Sequence, residues 1–135
     1  MPHLFIDYAP GLEDRADIPG LCRALRDAMA GTGIFPPGGI RVRAHRADHA
    51  AIADDGGDYG YVDMVLRMGA GRSAEARRAA AETVYAAAEA HLRPRLGEMP
   101  FMLSLELVEI DPAFSIRRWS TVHDALARRG GEQGG

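Results

Sequence analysis

Apolar residues alternate with polar ones in four stretches of this chain and recur at helical spacing in two longer ones. From His3 to Tyr8 the residues Leu4, Ile6 and Tyr8 share a face by period two, which predicts a strand, and Pro10-Gly11 end it. A helix is expected from Glu13 to Ala30, with Ile18, Leu21, Cys22, Leu25 and Met29 in one stripe and Gly31 and Gly33 beyond it. Pro19 near its start is expected to delay the first full turn. A second strand is read from Ile40 to His45, with Ile40, Val42 and Ala44 on one face and Arg41, Arg43 and His45 on the other. The Asp-, Ala- and Gly-rich stretch from Asp48 to Asp58 reads as a surface turn. A third strand follows from Tyr59 to Met68, with Val62, Met64, Leu66 and Met68 aligned. Ser73 then caps a helix from Ala74 to about Arg93, and a last strand runs from Phe101 to Ile110 with Leu103, Leu105 and Leu107 on one side.

The order is strand–helix–strand, loop, strand–helix–strand. That predicts an α/β (α+β) domain: tandem β-α-β units forming a four-stranded mixed sheet. Right-handed crossovers place both helices on one face of that sheet. The other face is left bare, and its Phe5, Met102, Val108 and Ile110 are apolar enough to call for cover by another subunit. After Pro112, Ile116, Trp119, Val122 and Leu126 supply a segment able to dock on its own domain or a neighbour. Residues 1–127 are expected to form one domain and 128–135 a disordered tail.

Composition narrows the function. A net charge of −3 and a pI near 5.9, with the basic residues dispersed, leave no footprint for nucleic acid or a membrane surface. No apolar run approaches the ~20 residues of a membrane span, and the first residues lack the pattern of a signal peptide. The single cysteine, Cys22, has no partner for an internal disulfide. From these features a cytoplasmic location is expected.

Candidate chemistry starts at Pro2. Removal of Met1, normal before a small residue, leaves a secondary amine on a rigid ring at the head of a strand. Such a group suits proton transfer. Arg41, Arg43 and His45 share a strand face and can line a pocket together. Arg72 precedes a helix start, where free N–H groups also favour anions. Planar guanidinium forks bind carboxylates bidentately. Each residue also has a plain structural reading: edge-strand charge for Arg41 and Arg43, surface for Arg72, core packing for Cys22.

The opening Met1-Pro2-His3, the doubled β-α-β layout, and the strings Thr32-Gly33-Ile34-Phe35-Pro36, Gly39-Ile40-Arg41-Val42-Arg43 and Gly69-Ala70-Gly71-Arg72-Ser73 resemble the 5-carboxymethyl-2-hydroxymuconate isomerase family of the tautomerase superfamily. That superfamily includes 4-oxalocrotonate tautomerase and macrophage migration inhibitory factor, and the likeness covers about residues 2–126. The resemblance implies a homotrimer with sites at subunit boundaries and a small unsaturated di- or tricarboxylate as substrate. It implies a cofactor-independent isomerase with Pro2 and Arg41 as catalytic residues, and Arg72, with Arg43, as substrate-binding residues. No metal or organic cofactor is expected. Two other readings stay open: a diverged hydratase, decarboxylase or dehalogenase of the same superfamily, and a non-catalytic trimeric binding protein.

Overall fold

The computed structural model describes the backbone of residues 1–134 and the side chains of residues 1–130. In chain order the elements are β1 (His3–Tyr8), α1 (Glu13–Ala16), α2 (Ile18–Gly31), β2 (Arg41–Arg46), β3 (Gly60–Gly69), α3 (Ala74–Leu96), β4 (Phe101–Ile110) and α4 (Val122–Gly134), with single 3₁₀ turns at Pro37–Gly39 and Pro112–Phe114. The strands form one sheet in the order β2-β1-β3-β4. The pairs β1–β2 and β3–β4 are parallel, and β1–β3 in the middle is antiparallel. This is the expected tandem arrangement: each parallel pair is bridged by helix, and the two units meet along β1 and β3.

The core lies between the sheet and the two long helices. Leu4 and Ile6 of β1 and Val62, Met64, Leu66 and Met68 of β3 are shut from solvent, packed on Leu21, Leu25 and Met29 of α2 and on Ala80, Val84, Ala88 and Leu92 of α3. Alternation along each strand accounts for this, since one parity faces the helices. Tyr85 also ties α3 to the outer strand, its hydroxyl donating to the Leu103 carbonyl at 3.1 Å.

The first helix differs from its expected form. It is broken at Asp17, which adopts a left-handed conformation (φ 49°, ψ 70°), and two helices result. Pro19 is the cause, because it has no N–H to donate and sits in the first turn of the new helix. The Asp17 carboxylate caps that turn by accepting from the Gly20 N–H at 3.1 Å. The carbonyls freed by the break find a ring nitrogen of α3: His91 Nε2 lies 2.8 Å from the Ala16 oxygen and 3.0 Å from that of Asp17.

At the other end, α3 passes through Pro94 and closes at Gly97, whose N–H donates to the Arg93 carbonyl. Helix α4 extends to Gly134, into the segment from 128 onward where a tail was expected; Gly135 lies outside the described residues. Between β4 and α4, residues 115–121 have no regular structure. They bridge from one edge strand to the far side of the sheet, where α4 packs on the Pro37–Gly39 turn ahead of β2. No helix among the described residues is long and apolar enough to cross a membrane.

Candidate active site

Pro2 is buried at the end of the sheet. Its carbonyl accepts from the Arg41 N–H at 3.1 Å, so the β1–β2 pairing reaches one residue beyond β1 and fixes the ring. The Pro37–Gly39 turn closes over it: a Cβ on Gly39 would sit 3.2 Å from Pro2 Cδ, tight for any larger residue. On the far side of that turn, His123 of α4 covers Gly38, where a Cβ would fall 2.6 Å from the imidazole Nδ1. Helix α4 thus backs the turn that packs on the proline.

The arginines diverge from one another. Arg41 Nη1 donates to the Gly38 carbonyl at 2.8 Å and the Ile40 carbonyl at 2.9 Å, so its guanidinium curls onto the turn beside Pro2. Arg43 turns instead to β1. Its guanidinium stands 4.1 Å from the Phe5 ring centroid, with Nη1 3.3 Å from His3 Nδ1. Arg67 of β3 approaches the same Phe5 ring at 5.2 Å. Arg72 donates to the Ile34 carbonyl and lies 5.8 Å from the Phe35 ring centroid, so it anchors the Thr32–Pro36 loop. His45 is exposed on β2.

Two clefts meet at the amino terminus. One of about 880 Å³ is lined by Met1, His3, Arg67, Glu109, Asp111 and Arg117 among others. A smaller one of about 330 Å³ includes Met1, Arg41, Arg117 and Trp119. The surroundings act on the terminal amine. Burial, and then the guanidinium groups of Arg117, Arg67 and Arg72, hold it below its ordinary value. His3 is also held below the ordinary imidazole range, by burial first and then by Arg67, Arg43, the terminal ammonium and Arg41. Such a site disfavours cations already present and favours an incoming anion. No cluster of three or more potential metal ligands occurs among the described residues.

Of the residues singled out in the sequence, Pro2 and Arg41 come together at the amino terminus. Arg43 and Arg72 engage other partners, although their charges are still felt there. Arg67 and Arg117 line the larger cleft and were not singled out. For Arg67 a signal existed: it is the basic residue of the polar parity of β3, and antiparallel pairing sets it opposite His3. For Arg117 none did, since it lies on an irregular stretch whose course only the fold determines. Cys22 is half-buried against the core, and burial pushes its thiol up, away from a reactive thiolate.

Comparison with known proteins agrees with this geometry. A sequence model of the 5-carboxymethyl-2-hydroxymuconate isomerase family matches residues 2–126. The 5-carboxymethyl-2-hydroxymuconate Delta-isomerase of Escherichia coli is 36% identical over 123 residues, 91% of this chain and 97% of its own length. A crystal structure of a 5-carboxymethyl-2-hydroxymuconate delta-isomerase superposes with a TM-score of 0.83 at 36% identity, covering 93% of each chain. Another, from Deinococcus radiodurans R1, gives 0.84 at 31% identity with the same coverage. The chain belongs to the 5-carboxymethyl-2-hydroxymuconate isomerase family.

Proposed function

We propose that this chain isomerises 5-carboxymethyl-2-hydroxymuconate, or a closely related 2-hydroxymuconate-type dienol acid, to its 2-oxo-enoate isomer, with the Pro2 nitrogen as general base and acid. The observation that carries the reading is the cationic, half-enclosed setting of the amino terminus, formed by Arg41, Arg67 and Arg117 around Met1. Removal of Met1 turns the Pro2 nitrogen from an amide into a secondary amine within that setting. Family membership supports the same reaction class.

The atoms balance without a redox partner. The neutral amine takes the 2-hydroxyl proton, C2 becomes a carbonyl, and the two conjugated double bonds become one between C3 and C4. The ammonium then returns the proton to C5. A general base works best with a pKa near working pH and typically contributes ~10²–10⁴-fold. An α-amine starts at about 7.7–8.0 and a secondary amine above that; burial and the guanidinium groups lower the Met1 amine at this place, and the same surroundings would act on a free Pro2 nitrogen in the needed direction. Arg41, whose Nη1 is held by two carbonyls on the turn that packs against Pro2, keeps its other guanidinium N–H groups for a ligand. Bound to the 1-carboxylate, it draws charge toward the developing 2-oxo acid. The exposed Met102, Phe114, Ile116 and Trp119 support assembly, and we read it as a homotrimer with a site at each subunit boundary.

The test joins two measurements on the same preparation. Intact mass should show loss of one methionine, and the protein should interconvert dienol and enone by ultraviolet absorbance. Active protein that retains Met1 would rule out the ring nitrogen as base.

A further inference from the structure

The substrate class proposed above carries a third carboxylate, on the carboxymethyl arm, and the inference drawn here rests on that reading. We infer that Arg117, on the stretch that crosses the amino terminus, binds this arm and sets a preference for tricarboxylates over dicarboxylates.

The topology brings Arg117 to the site. Strand β4 is one edge of the sheet, and the turn on which α4 docks precedes β2, the opposite edge. Crossing three inter-strand spacings requires about 14 Å. Residues 115–121, at full extension, could span up to ~23 Å. Their path passes the ends of β3 and β1, where Arg67 and Met1 lie, and Arg117 is placed at the junction of the two clefts.

The arginines near the site differ in how far they are already engaged. Arg72 is bonded to the Ile34 carbonyl, and Arg43 is turned to His3 and Phe5. Arg41 spends one nitrogen on two carbonyls. Among the described residues, Arg117 forms no ion pair. The two acids of the larger cleft do not claim it: Glu109 pairs with Arg77 at 3.1 Å, and Asp111 accepts from the Ala113 N–H at 2.9 Å. Arg41, Arg67 and Arg117 therefore offer three guanidinium groups for three carboxylates. Of these three arginines, only Arg117 lines both clefts.

The test reads binding by isothermal titration calorimetry on the full chain with Met1 removed, with tricarballylate and glutarate as probes. The wild type should bind the tricarboxylate more tightly by about tenfold or more, the range of a charge-assisted hydrogen bond in a partly exposed site. Arg117→Ala should bring the ratio close to one, and Arg117→Lys should keep part of it. Arg118→Ala, which removes the same charge from the neighbouring exposed position, should keep the wild-type ratio. The inference is overturned by a wild type without preference, by Arg117→Ala with the ratio intact, or by Arg118→Ala collapsing it equally. Because the readout is binding, a chain that shows the preference but turns over no dienol would count against Pro2 chemistry and leave the role of Arg117 in place.

Discussion

The two faces of the sheet could hardly be less alike. Toward the helices point Leu4, Ile6, Val62, Met64, Leu66 and Met68, all essentially without solvent contact. Toward the open side point the polar or charged His3, Asp7, Arg43, Asp63, Arg67, Ser104 and Glu106, interspersed with the apolar Phe5, Val65, Met102 and Val108. Burial of each apolar side chain on the helix face contributes about 1.5–3 kcal/mol, so stability is concentrated there. The open face is divided along its length. Its end nearest Pro2 aligns Arg41, His3 and Arg67, whereas the far end sets Asp7 directly opposite Asp63. Tyr61 donates to Asp7 at 3.0 Å and Ser104 to Asp63 at 2.6 Å, which offsets part of the like-charge repulsion. The helix face holds the fold together, and the open face distributes charge toward the amino terminus.

That division can be broken at either face. The largest effect is expected at the amino terminus: a chain extended so that Pro2 stays acylated should lose ~10²–10⁴-fold in kcat/KM. Its urea midpoint should stay near that of the processed protein, because no helix-face contact changes. On the other face, Leu66→Ala should cost about 2–5 kcal/mol in urea unfolding. Between these lies Arg67→Ala. Loss of a carboxylate contact should lower kcat/KM by about 10–100-fold, while stability changes by less than about 0.5 kcal/mol. A comparable loss of stability in that variant would mean that the basic end of the open face supports the fold as well.

The smallest effect concerns His3. Its folded-state pKa lies below the ordinary 6.5, so between those values the unfolded chain binds more protons than the folded one. Stability should therefore fall as pH drops through about 6.5 and level off below the folded value. His3→Asn should flatten that limb in urea titrations at successive pH values.

The helix face was legible in the amino-acid sequence because alternation and helical spacing follow directly from strand and helix geometry. Alternation put Leu4 and Ile6 on one face of β1 and Val62, Met64, Leu66 and Met68 on one face of β3, and these are the faces that are buried. The break at Asp17 was only hinted at by Pro19, since a left-handed residue followed by a capping carboxylate depends on how α3 brings His91 to the freed carbonyls. At the site, the strand start pointed to Pro2 and the family resemblance to Arg41 among the basic residues of the β2 parity, and the fold brings the two side by side. The partners taken by Arg43 and Arg72 could not be read from sequence, because Phe5, His3 and Ile34 come near only through strand order and loop packing. Arg117 depends on a long-range crossing that no local period encodes.

Catalysis here rests on a ring nitrogen at the amino terminus, set among guanidinium groups, moving the proton. A ¹⁵N NMR titration of Pro2 in the processed, active protein tests it most directly. Its pKa should lie below that of an ordinary secondary amine and coincide with the ascending limb of kcat/KM against pH. A nitrogen that stays protonated across the whole active range, with turnover undiminished, would contradict it.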